Sequence, residues 1–278
     1  MTRTRPFAQV DVFAASAYRG NPVAVVLDGA DLDDAAMLQL AQWTNLSETT
    51  FVLPPSTPEA DYRVRIFTPT GELTFAGHPT LGTAHAWLEH GGRPRREESV
   101  VQECAVGLIE VRRGPSALSF AAPPLLREGP VAEEDLERVL DGLGVARESV
   151  VGHQWVDNGP GWVAVRLATA DEVLALDPDL TRMPGSKVGV VGHHPDGSDC
   201  LYEVRAFGPG FGEDPVTGSL NAGIAQWLIG SGEAPARYRA SQGTRLGRQG
   251  VVHIETADDV TIWVGGASTT CIRGEITL

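Results

Sequence analysis

Alternation of apolar and polar residues runs along the chain in short stretches. Residues 10–13, 24–27, 62–67, 108–111, 161–165, 188–191, 202–207, 251–254, 261–264 and 271–276 read as strands, because a period of two sends successive side chains to opposite faces of a sheet. Helical spacing is rarer. Residues 33–44 place Ala36, Met37, Leu40, Ala41 and Trp43 near one stripe. Residues 80–89 follow Pro79, and the long apolar run 216–229 follows Pro215; a proline is tolerated there, since its missing N–H has no partner inside the helix. Residues 133–140 and 170–176 are shorter candidates. Many strands with a few helices predict an α+β fold.

The pattern repeats. Tyr62, Val64-Arg65 and Phe67 recur as Tyr202, Val204-Arg205 and Phe207, and Trp87-Leu88 recurs as Trp227-Leu228, all at a shift of 140. Between these anchors a shift of 136 sets His78-Pro79 against Asp214-Pro215 and Gly82 against Gly218. Each copy reads as strand, glycine-rich loop, proline and helix, so two similar domains are expected. Glycine and proline crowd residues 114–130, which places the boundary there. The domains are read as residues 1–117 and 118–264, with residues 265–278 returning as a closing strand to the first.

With 278 residues, 42% hydrophobic and 21% charged, the chain can bury a core in each half. A net charge of −14 opposes binding to nucleic acid and to anionic membranes. It does not oppose a small anionic ligand, because a local field in a pocket can reverse the global one. Cys104, Cys200 and Cys271 are odd in number and widely spaced, lie in strand-like surroundings and read as small buried residues. The cysteine pattern, the absence of a signal-peptide run in the opening residues and the lack of a long apolar span predict a cytoplasmic protein. No HExxH or clustered Cys/His spacing predicts a metal, no dinucleotide fingerprint stands in a strand–helix context, and GxSxG is missing.

What remains is the pair of glycine-rich helix starts. Gly77, Thr80 and Gly82 crowd one; Thr217, Gly218 and Ser219 crowd the other. Free N–H groups at such starts can hold a carboxylate and stabilise developing negative charge, and two of them facing one cleft would form a substrate grip. Thr80 and Thr217 also suit plain helix capping, and Asp214 ahead of Pro215 suits it too. Glu48, between a helical stretch and an apolar strand run, is on its own an ordinary loop carboxylate.

The segments GNPVAVV (20–26), NLSETTF (45–51), RIFTPTGELTFAGHPTLGTAH (65–85) and GEDPVTGSLNA (212–222) resemble the PhzF family in order and spacing. The resemblance implies the diaminopimelate-epimerase fold: two pseudo-symmetric β-rich domains, each wrapped around a central helix. It implies Glu48 as the acid/base group, with His78 and Asp214 beside it. Gly77, Gly218 and Ser219 would bind a small carboxylate substrate, and Asn21 of the GNP turn would stand near them. It also implies a homodimer working without a cofactor or metal, as an isomerase whose named substrate in the family is a dihydro-hydroxyanthranilate of phenazine biosynthesis. Epimerases of this fold carry a cysteine at each helix start. Here those places read as Gly77 and Asp214, so a two-thiol racemase is excluded. Two other readings stand beside the isomerase: an epimerase or racemase using carboxylates or histidine, and a binding protein that kept the cleft without turnover.

Overall fold

The computed structural model describes residues 2–257 and 261–278. The chain forms two compact units, Met1–Ala121 with Gly265–Leu278, and Ala122–Val264. The break therefore falls after Ala121, at the end of a strand, instead of after residue 117.

The first unit contains β1 (Thr4–Val12), β2 (Asn21–Val26), α1 (Asp34–Thr44), β3 (Glu48–Leu53), β4 (Tyr62–Thr68), β5 (Gly71–Leu73), α2 (Gly77–Glu89), β6 (Ser99–Cys104), β7 (Gly107–Arg113) and β8 (Leu118–Ala121). β2 and β3 are parallel, with Val23 beside Glu48. β3 runs antiparallel to β4 with Thr49 beside Phe67, and β4 turns back into β5 with Phe67 beside Glu72. Thr83 on α2 donates to Thr50 on β3 at 2.8 Å, so the face of β3 that carries Glu48 and Thr50 is the one turned to the helix. Gly82 makes the close approach possible: a Cβ there would stand 2.4 Å from Val23 Cγ1.

On the other face, α1 packs Met37, Leu40 and Ala41 with Val26, Phe51 and Phe67. Trp43 does not join them; it is 80% exposed. At about 100° per residue it lies roughly 110° round from the centre of that buried face. Asp33 caps the helix by accepting from the Ala36 N–H at 2.8 Å. Asn45 ends it in the left-handed conformation, φ 51°, which Asn adopts more readily than most side-chain-bearing residues.

The second unit opens with α3 (Glu133–Leu143), then β9 (Gly152–Trp155), β10 (Trp162–Thr169), α4 (Ala170–Ala175), β11 (Lys187–His193), β12 (Tyr202–Gly208), β13 (Gly212–Asp214), α5 (Gly218–Gly230), β14 (Arg237–Gln242), β15 (Gly250–Thr256) and the first three residues of β16 (Ile262–Gly266). Leu136, Val139, Leu140 and Leu143 of α3 pack with Val163, Val165, Val188 and Phe207. The final strand, β17 (Ser268–Thr277), pairs antiparallel with β1 inside the first unit.

The order from β2 to β7 matches that from β10 to β15 pairing by pairing. β10 and β11 are parallel with Trp162 beside Lys187; β11 and β12 are antiparallel with Val188 beside Phe207; β12 turns back into β13 with Phe207 beside Glu213. Even the ion pairs recur: Arg65 Nη2 lies 2.6 Å from Glu72 and Arg205 Nη2 2.8 Å from Glu213.

This register corrects the sequence pairing of the two loops. The second loop, from Gly208 to Gly212, is one residue longer than Thr68 to Gly71. The shift thus grows from 140 to 141, and Gly71, Gly77 and Gly82 match Gly212, Gly218 and Gly223. Gly82 and Gly223 share a role, since a Cβ on Gly223 would meet the Val156 carbonyl oxygen at 2.4 Å. His78 therefore corresponds to Ser219, and Asp214 to Leu73. The prolines misled: Pro79 lies inside α2, whereas Pro215 precedes α5 by three residues.

Candidate functional site

The first unit brings Glu48 and His78 together. Glu48 opens β3 beside Val23, three residues after the Asn45 cap. His78 is the second residue of α2. Glu48 Oε2 lies 3.2 Å from His78 Nε2, with side chains 15% and 6% exposed. Burial drives the His78 pKa down to about 3, against the opposing hydrogen bond to the Pro22 carbonyl. The imidazole is therefore neutral at pH 7, and the contact is a close approach of a carboxyl group to an uncharged ring. Asn21, fully buried, precedes Pro22 at the start of β2 and pairs with Val12.

Gly77 opens α2 after Ala76, which supplies no side-chain cap. Its N–H and that of His78 lie in the first turn, which leaves them without an acceptor in the helix. Thr80 is not a cap: it sits within the helix and its hydroxyl donates back to the Ala76 carbonyl at 2.9 Å. Gln102 on β6 donates to Thr80 Oγ1 at 2.9 Å and accepts from the Tyr62 hydroxyl at 2.9 Å.

The second unit gathers Asp214, Gly218 and Ser219. Asp214 ends β13 and accepts from Thr217 Oγ1 at 2.5 Å. It is not the cap of α5; Thr217 occupies that place without a side-chain cap bond. Ser219 receives the indole N–H of Trp162 on its hydroxyl at 3.0 Å, and Asn158 donates to its carbonyl at 2.9 Å. Gln242 at the end of β14 fixes the loop: its amide donates to the Asp214 carbonyl and to Thr217 Oγ1, while its oxygen accepts from the Thr217 N–H and from Asn221. Sequence reasoning missed Trp162, Gln102 and Gln242. A buried Gln near the end of the strand after each central helix was the available signal.

Neither helix start carries a cysteine. Cys104 is buried in β6, Cys271 is half-buried in β17, and Cys200 is half-buried outside any strand, so only the first fits the small-buried-residue reading. Among the described residues no group of His, Cys, Asp and Glu could hold a metal ion, and no helix is long and apolar enough to cross a membrane. A cavity of about 630 Å³ in the second unit is lined by residues including His193, His194, Arg239 and His253. It contains none of the candidate residues, and two of its arginines already face carboxylates, Arg237 with Glu255 and Arg239 with Asp199.

The β-rich units, each built on a central helix, define a diaminopimelate-epimerase-like α+β fold, and comparison with known proteins agrees. A crystal structure of a phenazine biosynthesis protein of the PhzF family from Bacillus anthracis superposes with a TM-score of 0.84 over 99% of this chain and 100% of that one, at 21% identity. A hydroxyproline epimerase from Agrobacterium vitis shares the fold at a TM-score of 0.59, 13% identity and coverage of 99% and 92%. Residues 10–274 match the family described as phenazine biosynthesis-like protein, and the chain belongs to that PhzC-PhzF family. Its relatives include antisense-enhancing sequence 1 of Schizosaccharomyces pombe, 36% identical with 97% of each chain covered. Trans-2,3-dihydro-3-hydroxyanthranilate isomerase of Pseudomonas fluorescens is 33% identical, with 97% of this chain and 98% of the relative covered.

Proposed function

We propose that the protein is a cofactor-independent isomerase that moves a proton between two carbons of a small carboxylic acid, with Glu48 as the acid/base group. The observation that carries this reading is the Glu48–His78 contact: a sheltered carboxyl group 3.2 Å from a buried neutral imidazole, at a helix start. In the proposed cycle the Glu48 carboxylate takes a proton from a C–H bond. The electron pair left behind spreads into the adjoining π-system, and the same carboxylic acid, its proton exchanged with solvent, delivers a proton to another carbon, so nothing is gained or lost overall. The His78 ring, tied to Pro22, orients Glu48 or a substrate hydroxyl. Asp214, Gly218 and Ser219 are proposed to serve the same reaction, Asp214 by holding an amino or hydroxyl group and the other two by receiving the carboxylate. Their part rests on the motif resemblance. Gly77 is proposed to add its amide, and Asn21 to brace the turn that carries Pro22.

The relatives named trans-2,3-dihydro-3-hydroxyanthranilate isomerase make that compound the first substrate to test, although the fission-yeast relative bears a name unrelated to phenazines. Incubation of the wild type with it in D2O is expected to yield a product whose double bond has moved and which carries one solvent deuterium on carbon. Recovered substrate with its stereocentre scrambled supports the epimerase reading instead. If this compound and a panel of amino and hydroxy acids come back undeuterated, the catalytic reading falls.

A further inference from the structure

Lys187 is the only lysine in the chain, and the matched strand registers place it where the second unit repeats Glu48. Thr49 faces Phe67 as Val188 faces Phe207, so the residue before each, Glu48 and Lys187, opens the corresponding strand. The partner across the parallel pair is Val23 in one unit and Trp162 in the other.

Two further observations show which way this position points. Neighbours in register on adjacent strands share a face, and so do residues two apart along one strand. Trp162, level with Lys187, sends its indole N–H to Ser219 on α5 at 3.0 Å. Gly189, two residues along β11, has its missing Cβ aimed at Leu220 on α5, 2.4 Å from Cδ1. The face that carries Lys187 is therefore turned to the first turn of α5, as the face that carries Glu48 is turned to the first turn of α2. Lys187 is half-buried. Its side chain takes part in none of the hydrogen bonds or ion pairs among the described residues. Every arginine named at these helix starts is already paired, Arg65 with Glu72 and Arg205 with Glu213.

We propose that Lys187 is a specificity-determining residue that receives a carboxylate of the substrate beside Ser219, giving this enzyme a point charge where the first unit presents an acid. An ammonium on a flexible stem suits a carboxylate whose exact placement differs between substrates. A local cation there also adds to the field of the helix start in offsetting the −14 net charge. The inference rests on the isomerase reading for the word substrate, but its test does not depend on turnover.

Because the lysine is single, reductive methylation of Glu48→Gln protein with 13C-formaldehyde keeps the charge and yields one lysine dimethylamino resonance besides that of the chain's amino terminus. Titration with acetate and anthranilate, each against its amide, reads Lys187 directly, with the amino terminus as the internal control for bulk ionic effects. Both acids are expected to move the Lys187 signal saturably and to leave the terminal signal behind, and the amides are expected to move neither. In kinetics, Lys187→Gln should raise KM for the wild-type enzyme's acid by ~10- to 100-fold, the loss expected of one charge-assisted contact. If the Lys187 signal merely tracks the amino terminus, or responds equally to acids and amides, the proposal is overturned. That outcome leaves the Glu48 reading intact when Glu48→Gln has abolished exchange. Conversely, a saturable Lys187 response with an active Glu48→Gln overturns only the acid/base assignment.

Discussion

A buried, neutral His78 ties the site to the stability of the fold, and the tie can be measured. Burial holds the folded-state pKa at about 3, below the ordinary histidine value of 6.5. Below pH 6.5 the unfolded chain binds a proton that the folded chain refuses, so acid favours unfolding. The contribution is fully present above about pH 6.5 and drains away as pH falls toward 3. At pH 5.5 the unfolded state gains about 1 to 2 kcal/mol from this one ring, since each pH unit below the unfolded pKa is worth roughly 1.4 kcal/mol. The perturbation is His78→Gln, which keeps an amide donor but cannot titrate. Urea unfolding of both proteins at pH 7.5, 6.5 and 5.5 gives the two slopes. His85, His153 and His253 are also lowered by burial, but both proteins contain them and they cancel in the difference. Whatever the substitution costs at pH 7.5, the advantage of the wild type should shrink by about 1 to 2 kcal/mol at pH 5.5. Parallel curves would mean that His78 is hydrated or charged in the folded protein, and the neutral imidazole beside Glu48 would have to be given up.

Other consequences concern the repeated architecture. Gly82→Ala and Gly223→Ala should each cost about 1–3 kcal/mol by overpacking, because their Cβ atoms meet Val23 and the Val156 carbonyl at 2.4 Å; chemical denaturation that finds either neutral contradicts the close helix–sheet approach. Gly230→Ala, whose Cβ meets nothing within 4 Å, should instead be neutral or stabilise by up to about 1 kcal/mol. Arg205→Met strands the largely buried Glu213 and removes donors from the Val173 and Leu176 carbonyls, so a loss of about 3–5 kcal/mol is expected. Arg65→Met, at a pair 24% and 37% exposed, should cost about 0–1 kcal/mol, and equal losses in the two variants would refute the distinction.

Much of this was legible in the residues. The period-two stretches marked the long strands, and the Tyr–Val-Arg–Phe echo marked the duplication. What failed did so for local reasons. One extra residue in the turn GPGFG displaced the second loop, and two prolines invited a pairing that the backbone does not make; hence His78 was matched with Asp214 when its counterpart is Ser219. Trp43 was assigned to the buried stripe because apolar character outweighed its angle on the helix. The short strands β5 and β13 carry too few residues to show a period, and their identity comes from pairing with β4 and β12. Gln102 and Gln242 are invisible to hydropathy, since their part in fixing the helix starts depends on contacts 21 to 28 residues away in sequence.

Whether Glu48 carries the proton is open to one direct measurement: the rate of deuterium wash-in from D2O into trans-2,3-dihydro-3-hydroxyanthranilate, or into whichever acid the wild type exchanges, with Glu48→Gln alongside. Removing an acid/base group should slow wash-in by ~100- to 10,000-fold, while the variant keeps the wild type's circular dichroism and melting point. A correctly folded variant that exchanges at the wild-type rate would show that another group moves the proton.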